Sequence, residues 1–359
     1  FPGIGRYVSN LAQAMALQLA AHERLILLTD PTRPSRWQLP AQSEQIRWVE
    51  TAVSPFSLSQ QYRIPRLLKQ QNADVYHSPY YLMPYAPGLP TVVTIYDLIP
   101  KFFPQYVSVK ARLFFHLSTR LALHTAQHII VISEASRRDL LRSFALSPVR
   151  VTAVPLAPDP HFQSQPDAEM ERIRQKYNLP DSYTLYLGIN KPHKNLARLL
   201  DAWTNVNTKM PLVVAGAWDE RYPQIKNQAT DLGLGDRVIF LGPVDEADLP
   251  GLYAGAMLFV FPSLYEGFGL PVMEAMACGT AVICANSSSL PEVAGNAALY
   301  FDPHDTADIT LKINQLLAGR ALQAEYEKKA LKQAKKFSWE VTALSTLQLY
   351  RSLTVSSFQ

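Results

Sequence analysis

Short apolar runs rich in β-branched residues alternate with longer stretches of helical periodicity along the whole chain: RLILLT, DVYHS, TVVTIYD and HIIVIS, then YTLYLGI, PLVVAG, VIFLG, MLFVFPS, TAVICA and AALYFD. That alternation predicts βα units on parallel sheets, an α/β fold. The stretch VRVTAVPLAPDPHFQSQPD, residues 149–167, is proline-rich and polar after its own strand and reads as a domain boundary. Two doubly wound, Rossmann-like domains are therefore expected to face each other across a cleft, residues 1–156 and 157–338, and 359 residues with 48% hydrophobic content suffice for two cores. The last helical stretch, about residues 339–353, can belong to either domain. The chain opens directly on FPGIGRYVSNLAQAMA, and because a glycine turn feeding a helix normally follows a strand, a missing first strand is expected.

Charge and cysteine content exclude several function classes. Lys plus Arg exceed Asp plus Glu by 34 − 30 = 4 without a long basic block, which suits an anionic ligand or membrane surface and argues against dedicated nucleic-acid binding. Cys278 and Cys284 lack metal-ligand spacing and are assigned no chemistry. No apolar run approaches the roughly 20 residues of a membrane-spanning helix, and no basic-then-apolar leader precedes the first motif, so a soluble cytoplasmic protein is expected.

In open parallel sheets ligands sit beyond the carboxyl ends of the strands, where loops enter helix N-termini. The stretch PSLYEGFGLPVMEAMACG, residues 262–279, occupies such a place. Pro271 suits a first helical turn and Gly279 a helix end, while Gly267 and Gly269 let a ligand approach the backbone. Glu266 before the helix and Glu274 one turn into it can accept hydrogen bonds from sugar diols flanking a diphosphate; alternatively Glu274 only complements the helix dipole and Glu266 is solvated. In YLGINKPHKNLARLLDAW, residues 186–203, Gly188 turns the chain and Lys191, His193 and Lys194 cluster before a helix starting near Asn195. Cations at a helix start oppose its dipole, which favours an anionic ligand there; a solvated basic loop is the alternative reading.

PGIGRYV places Gly3 and Gly5 before a helix expected to begin near Arg6, half of a dinucleotide fingerprint with Val8 at the third glycine position. TIYDLIP sets Tyr96 and Asp97 at a strand's carboxyl end; Ser133 and Glu134 read as a capping pair. DVYHSPYYLMP adds His77 and several tyrosines, suited to a sugar acceptor or to a structural aromatic cluster. Residues 102–126 combine aromatics with Lys110, Arg112 and Arg120, either an ordinary helix with a basic outer face or one that touches a membrane.

Taken together, GIGRY, TIYDLIP, VISEASRRDL, YLGINKPHKNLARLLDAW, SLYEGFGLPVMEAMACGTAVICANSSSLPEVAG and FSWE resemble the retaining glycosyltransferases of family four, also called group 1, over nearly the whole chain. The resemblance implies the GT-B fold, with an N-terminal acceptor domain, a C-terminal nucleotide-sugar domain and a last helix that packs back on the N-terminal one. By that resemblance Glu274 holds the ribose hydroxyls and Glu266 those of the transferred sugar. Backbone amides from Gly267 through Phe268 and Gly269 to Leu270 meet sugar and diphosphate, Lys194 binds the diphosphate, and Gly5, with Gly3, belongs to the N-terminal glycine loop near that diphosphate. It further implies a donor of the GDP-mannose or UDP-glucose type, no cofactor or metal, a saccharide or lipid-linked acceptor, cell-surface polysaccharide synthesis, and a cytoplasmic enzyme at the inner face of the membrane. Two departures stand out. Ile189 and Asn190 replace a basic residue common in the family, leaving Lys191 or another residue as second cation, and Tyr96 stands where many members have His. Competing readings are a nucleotide-sugar epimerase of the same architecture, an NAD-dependent oxidoreductase using GIGRYV, and a catalytically silent sugar-nucleotide-binding protein.

Overall fold

The computed structural model describes residues 2–32 and 37–355, and the chain divides into two compact units, 1–156 with 338–359 and 157–337. The first unit contains α1 (Pro2–Ala16), β1 (Leu25–Thr29), β2 (Ile46–Glu50), α2 (Gln60–Gln70), β3 (Tyr76–Ser78), β4 (Thr91–Ile95), α3 (Ile99–Phe102), α4 (Val109–Thr125), β5 (His128–Val131), α5 (Glu134–Ser143) and β6 (Val151–Ala153). The second contains α6 (Asp167–Lys176), β7 (Thr184–Leu187), α7 (Leu196–Trp203), β8 (Leu212–Ala215), α8 (Gln224–Asp231), β9 (Val238–Gly242), α9 (Leu249–Ala254) and β10 (Leu258–Phe261). It continues through α10 (Leu270–Ala277), β11 (Val282–Ala285), α11 (Leu290–Ala294), β12 (Ala298–Phe301), α12 (Thr306–Leu317) and α13 (Arg320–Ala334); α14 (Trp339–Val355) belongs to the first unit.

Every strand pair is parallel. In the second unit six strands lie in the order β12-β11-β10-β7-β8-β9. The chain moves outward from β7 through β8 and β9, then returns to the other side of β7 at β10. The sequence order therefore reverses between the two neighbouring central strands, which pair Leu258 with Thr184 and Phe259 with Leu185. Strands β8, β10 and β11 are buried at every residue, as expected for strands covered on both faces by crossover helices.

The first unit holds a four-stranded sheet β3-β4-β5-β6 and a separate pair β1-β2. Strand β2 is absent from the apolar pattern of the sequence because only Ile46 is buried in IRWVE, while Arg47, Trp48 and Glu50 are exposed. The glycine turn expected before Arg6 is a helix instead: α1 starts at Pro2 and takes Gly3 and Gly5 into its first turns, neither with a positive φ. Proline fits the opening of a helix because its ring presets the helical φ and its missing N–H is one the first turn leaves unpaired.

Helix α14 is tied to the segment between α1 and β1 by Arg351 Nε on Glu23 Oε1 at 2.6 Å and Gln18 Nε2 donating to Glu340 O at 2.9 Å. The Arg351 pairing holds the Glu23 carboxyl down at about 2. Thr342 Oγ1 donates to Pro155 O at 2.7 Å. A buried polar chain crosses the same unit, with Tyr7 Oη at 3.2 Å and His77 Nε2 at 2.7 Å from Thr94 Oγ1 and with His77 Nδ1 hydrogen-bonded to Tyr350 Oη. His77, weighed above as an acceptor contact, is thus a strand residue engaged on both ring nitrogens.

Burial pushes the His77 imidazole down to about 3, whereas an unfolded chain takes up that proton near 6.5. The unfolded state then binds more protons between these values. Stability of the first unit is expected to be full above pH 6.5 and to fall by up to about 1.4 kcal/mol per pH unit below it; urea midpoints that stay flat from pH 7 to pH 5 contradict this. Thr94→Val leaves His77 Nε2 and Tyr7 Oη unpaired and is expected to cost about 1–3 kcal/mol in the same measurement.

Candidate functional site

The loop after β7, residues 188–195, and the loop after β10, residues 262–269, leave the two central strands of the second unit where the strand order reverses, the place where open α/β sheets bind ligands. They are strapped together by backbone and side-chain bonds. Leu264 N donates to His193 O at 2.8 Å, Ser263 Oγ to the same oxygen at 3.2 Å, and Asn195 Nδ2 to Pro262 O at 3.1 Å. Asn195, in the left-handed region at φ 60°, also donates to Pro303 O at 2.8 Å and so joins the loop after β12. These straps set Lys194 Nζ at 2.6 Å from Glu266 Oε1, with 16% and 11% of the side chains exposed. Glu266 is therefore ion-paired and buried, not solvated. His193 beside them is held down to about 4 by burial and by the Lys194 charge.

The loop turns into α10 through Gly269 at φ 104°, where a Cβ would approach Leu290 Cδ2 to 2.6 Å. Leu270 and Pro271 open the helix, so its first turn directs unpaired backbone donors toward the loop. The other end closes with Thr280 N on Ala275 O at 3.0 Å and Gly279 N on Met276 O at 3.1 Å around left-handed Gly279, a Schellman ending. Gly267 and Phe268 are buried. Ser288 and Ser289 hydroxyls donate to Glu266 O at 2.6 and 3.0 Å, and Ser289 also to Phe268 O at 2.7 Å. Glu274 is 3% exposed on α10, and the fully buried Tyr253 donates its hydroxyl to Glu274 Oε2 at 3.0 Å.

The remaining expected residues spread further. Gly188 lies at the end of β7, with its carbonyl so close to Gly216 that a Cβ there would meet it at 2.5 Å. A small cavity lined by Gly188, Gly216, Trp218, Lys226, Phe240 and Gly242 lies there, with Lys226 Nζ 4.7 Å from the Trp218 ring centroid. Lys191 is part-exposed, and no described contact brings it to the Lys194–Glu266 pair; its charge contributes to holding the Asp219 carboxyl down at about 2, after the larger effect of Arg221. Asn190, which replaces a basic residue, has a structural role: its side chain donates to Asp219 O and Tyr222 O at 3.1 and 2.8 Å and accepts from Asp219 N at 2.7 Å.

In the first unit Tyr96 packs edge-on against Tyr7, ring centroids 5.4 Å apart. Its hydroxyl is buried without a hydrogen-bond partner among the described residues, and burial raises its pKa well above 10. Asp97 Oδ1 accepts from Ile99 N at 2.8 Å, and its charge raises the nearby Tyr80 and Tyr81, whose pKa values are already lifted by burial. Ser133 caps α5 by accepting from Ser136 N at 3.0 Å. Gly3 faces open space, while Trp37 covers Gly5, where a Cβ would lie 2.6 Å from its indole nitrogen. Among the described residues no group of three or more His, Cys, Asp or Glu is arranged to hold a metal ion, and no helix is long and apolar enough to cross a membrane.

Tyr253, the serines 287–289, Asn195, Trp218 and Lys226 went unassigned in the sequence. The run SSS after strand TAVICA and the tryptophan after PLVVAG were the available signals. Nothing local marks Tyr253, which meets Glu274 from another helix.

Residues 169–336 match the model of the family Glycosyl transferases group 1, and residues 2–162 match Glycosyltransferase Family 4. O-antigen chain mannosyltransferase B of Escherichia coli is 36% identical over 287 residues, covering 78% of this chain and 74% of that protein. The chain belongs to the group 1 glycosyltransferases. Its fold is GT-B: sucrose-phosphate synthase from Thermosynechococcus elongatus superposes with a TM-score of 0.73 at 25% identity, covering 98% of this chain and 93% of that one. HepE of Anabaena, solved with UDP-glucose, gives 0.73 at 18% identity over 92% and 100% of the two chains. The chain spans about a third of the length of larger curated mannosyltransferases that it also matches. Membership in this family does not favour the epimerase reading.

For this glycosyltransferase, Gly269→Ala is expected to destabilise the second unit by about 1–3 kcal/mol, since it adds left-handed strain and a clash with Leu290, whereas Gly3→Ala, with open space around it, is expected to change stability by less than about 1 kcal/mol. Equal chemical-denaturation midpoints for the two variants contradict the loop geometry.

Proposed function

We propose that the protein is a retaining hexosyltransferase that moves a sugar from a nucleoside diphosphate sugar to a saccharide or lipid-linked acceptor in cell-surface polysaccharide synthesis. The observation that carries the reading is the Lys194–Glu266 pair at 2.6 Å beside the start of α10. In a sugar nucleotide the hexose and the diphosphate are joined through a single oxygen, so a cation and a carboxylate in contact can grasp the two sides of the bond to be broken. Glu266 accepts from hydroxyls of the transferred hexose, and Lys194 meets the diphosphate. The amides from Gly267 to Leu270 add fixed dipoles where negative charge develops on the leaving group. Glu274, aimed by Tyr253, holds the ribose hydroxyls, and residues 157–337 form the donor domain, with Gly188 and Lys191 in the loop that follows its central strand β7.

The first unit, residues 1–156 with α14, is the acceptor domain in this reading. The Tyr96 hydroxyl and Asp97 pair with acceptor hydroxyls, Tyr96 as a neutral phenol at every physiological pH, and the first-turn amides at Gly3 and Gly5 donate to an anion. In the reaction the bond from the anomeric carbon to the diphosphate oxygen breaks and the acceptor oxygen bonds to that carbon on the same face. The acceptor's proton leaves on a phosphate oxygen, so the products are a glycoside of unchanged anomeric configuration and a nucleoside diphosphate. Charge stabilisation comes from Lys194 and the amides, and transfer is proposed to need no metal or cofactor. The relatives named above support mannose as the sugar, hence a donor of the GDP-mannose type, with UDP-glucose as the second candidate. The enzyme would work in the cytoplasm at the membrane's inner face.

Lys194→Ala and Glu274→Ala, each checked for a retained fold, are expected to lose about 2–4 kcal/mol of transition-state stabilisation, roughly 30- to 1,000-fold in kcat/KM. Acceptor-dependent nucleotide release measured for each variant decides it, and near-wild-type rates overturn the assignment. In EDTA the wild-type rate is expected to be unchanged, and abolition by the chelator with rescue by magnesium overturns the metal-free reading.

A further inference from the structure

The acid-free segment between Asp97 and Glu134 includes α4 and is unusual in a chain with 30 Asp plus Glu. Ser108 caps the helix by accepting from Ala111 N at 3.2 Å. One face, Phe115, Ser118, Thr119, Ala122 and Leu123, is buried in the first unit. The opposite face is the reverse of a soluble helix's outer side: Val109, Leu113 and Leu117 are 70%, 67% and 56% exposed, and Phe114 and Leu121 are 54% and 39% exposed. Positions 109, 113, 117 and 121 follow at intervals of four, so these side chains form one ridge along the helix. Lys110, Arg112 and Arg120 are exposed around it. Scattered exposed apolar residues need no explanation, but a contiguous ridge of five flanked by cations marks an interaction surface.

We propose that this face of α4 seats the protein on an anionic lipid bilayer, with the apolar ridge entering the headgroup boundary and Lys110, Arg112 and Arg120 pairing with lipid phosphates. The inference deepens the membrane location given in the proposed function and rests on that reading only for its biological purpose. Charge selects the occupant. In a symmetric dimer this patch would face itself and oppose its own three cations with no acid on the helix to pair them. A bilayer surface bearing anionic lipid supplies the opposite charge and the apolar layer together.

The test is flotation of the full chain with phosphatidylcholine vesicles, with and without phosphatidylglycerol, at low and high salt. The wild type is expected to float with the anionic vesicles, and less at high salt. Leu113→Glu combined with Leu117→Glu is expected to reduce the bound fraction at least about tenfold, while circular dichroism, the melting temperature and transfer to a soluble acceptor stay unchanged. Because both residues are surface-exposed, a folded variant is expected; Arg112→Glu with Arg120→Glu gives an independent pair that leaves the ridge intact and should lose the preference for anionic vesicles. Absence of flotation, equal flotation with both vesicle types, or wild-type binding by the double leucine variant overturns the proposal. A wild-type dimer in sedimentation that becomes a monomer in that variant, without vesicle binding, assigns the face to a second copy instead. The readout does not depend on turnover, so an inactive protein that floats refutes the enzymatic reading alone.

Discussion

The Lys194–Glu266 contact is where the loops after the two central strands of the second unit converge. The two residues come from loops far apart in sequence that become neighbours only because β7 and β10 pair at the point where strand order reverses. Burying an ion pair is costly unless its geometry is good, and removing one partner from such a pair typically costs about 3–5 kcal/mol. The loops meet that requirement with covalently short connections and many straps. Asn195 ties the loops after β10 and β12, and the His193 carbonyl receives both Leu264 and Ser263, so the pair's position is set by backbone rather than by two long flexible side chains.

The two glutamates of the same stretch have different surroundings, and the difference follows from the helix between them. Glu266 stands before α10 and meets a cation; Glu274 lies inside α10, buried, and meets a phenol. A carboxylate facing Lys194 can exchange that partner for sugar hydroxyls when an anion takes the lysine. The Tyr253 hydroxyl on Oε2 fixes the orientation of the Glu274 carboxylate within the helix. The serines at 288 and 289 hold the carbonyls of Glu266 and Phe268 from behind, which fixes the backbone that a ligand would approach.

Much of this was legible in the sequence because it depends on local chemistry. The apolar runs gave the sheets, and Gly279, read as a helix end, occupies left-handed backbone there; Gly269, read as a place for close ligand approach, is left-handed as well. The parts that escaped depend on tertiary context. PGIG reads as a turn, but Pro2 presets a helix whose first turns tolerate Gly3 and Gly5. IRWVE has one buried side chain and no alternation to reveal β2. His77 looked available on a polar, aromatic stretch, yet Thr94 and Tyr350, distant in sequence, take both ring nitrogens. Asn190 departs from the family's basic residue and turns out to brace the 219–222 turn, and Tyr253 could be found only from its contact with Glu274.

Retaining transfer is tested most directly by following the anomeric protons by NMR while the full chain is incubated with GDP-mannose or UDP-glucose and a saccharide acceptor. The expected product keeps the donor's anomeric configuration in its new glycosidic bond, with one nucleoside diphosphate released per bond formed. An inverted product, or neither sugar nucleotide being consumed in the presence of a range of acceptors, would contradict retaining transfer.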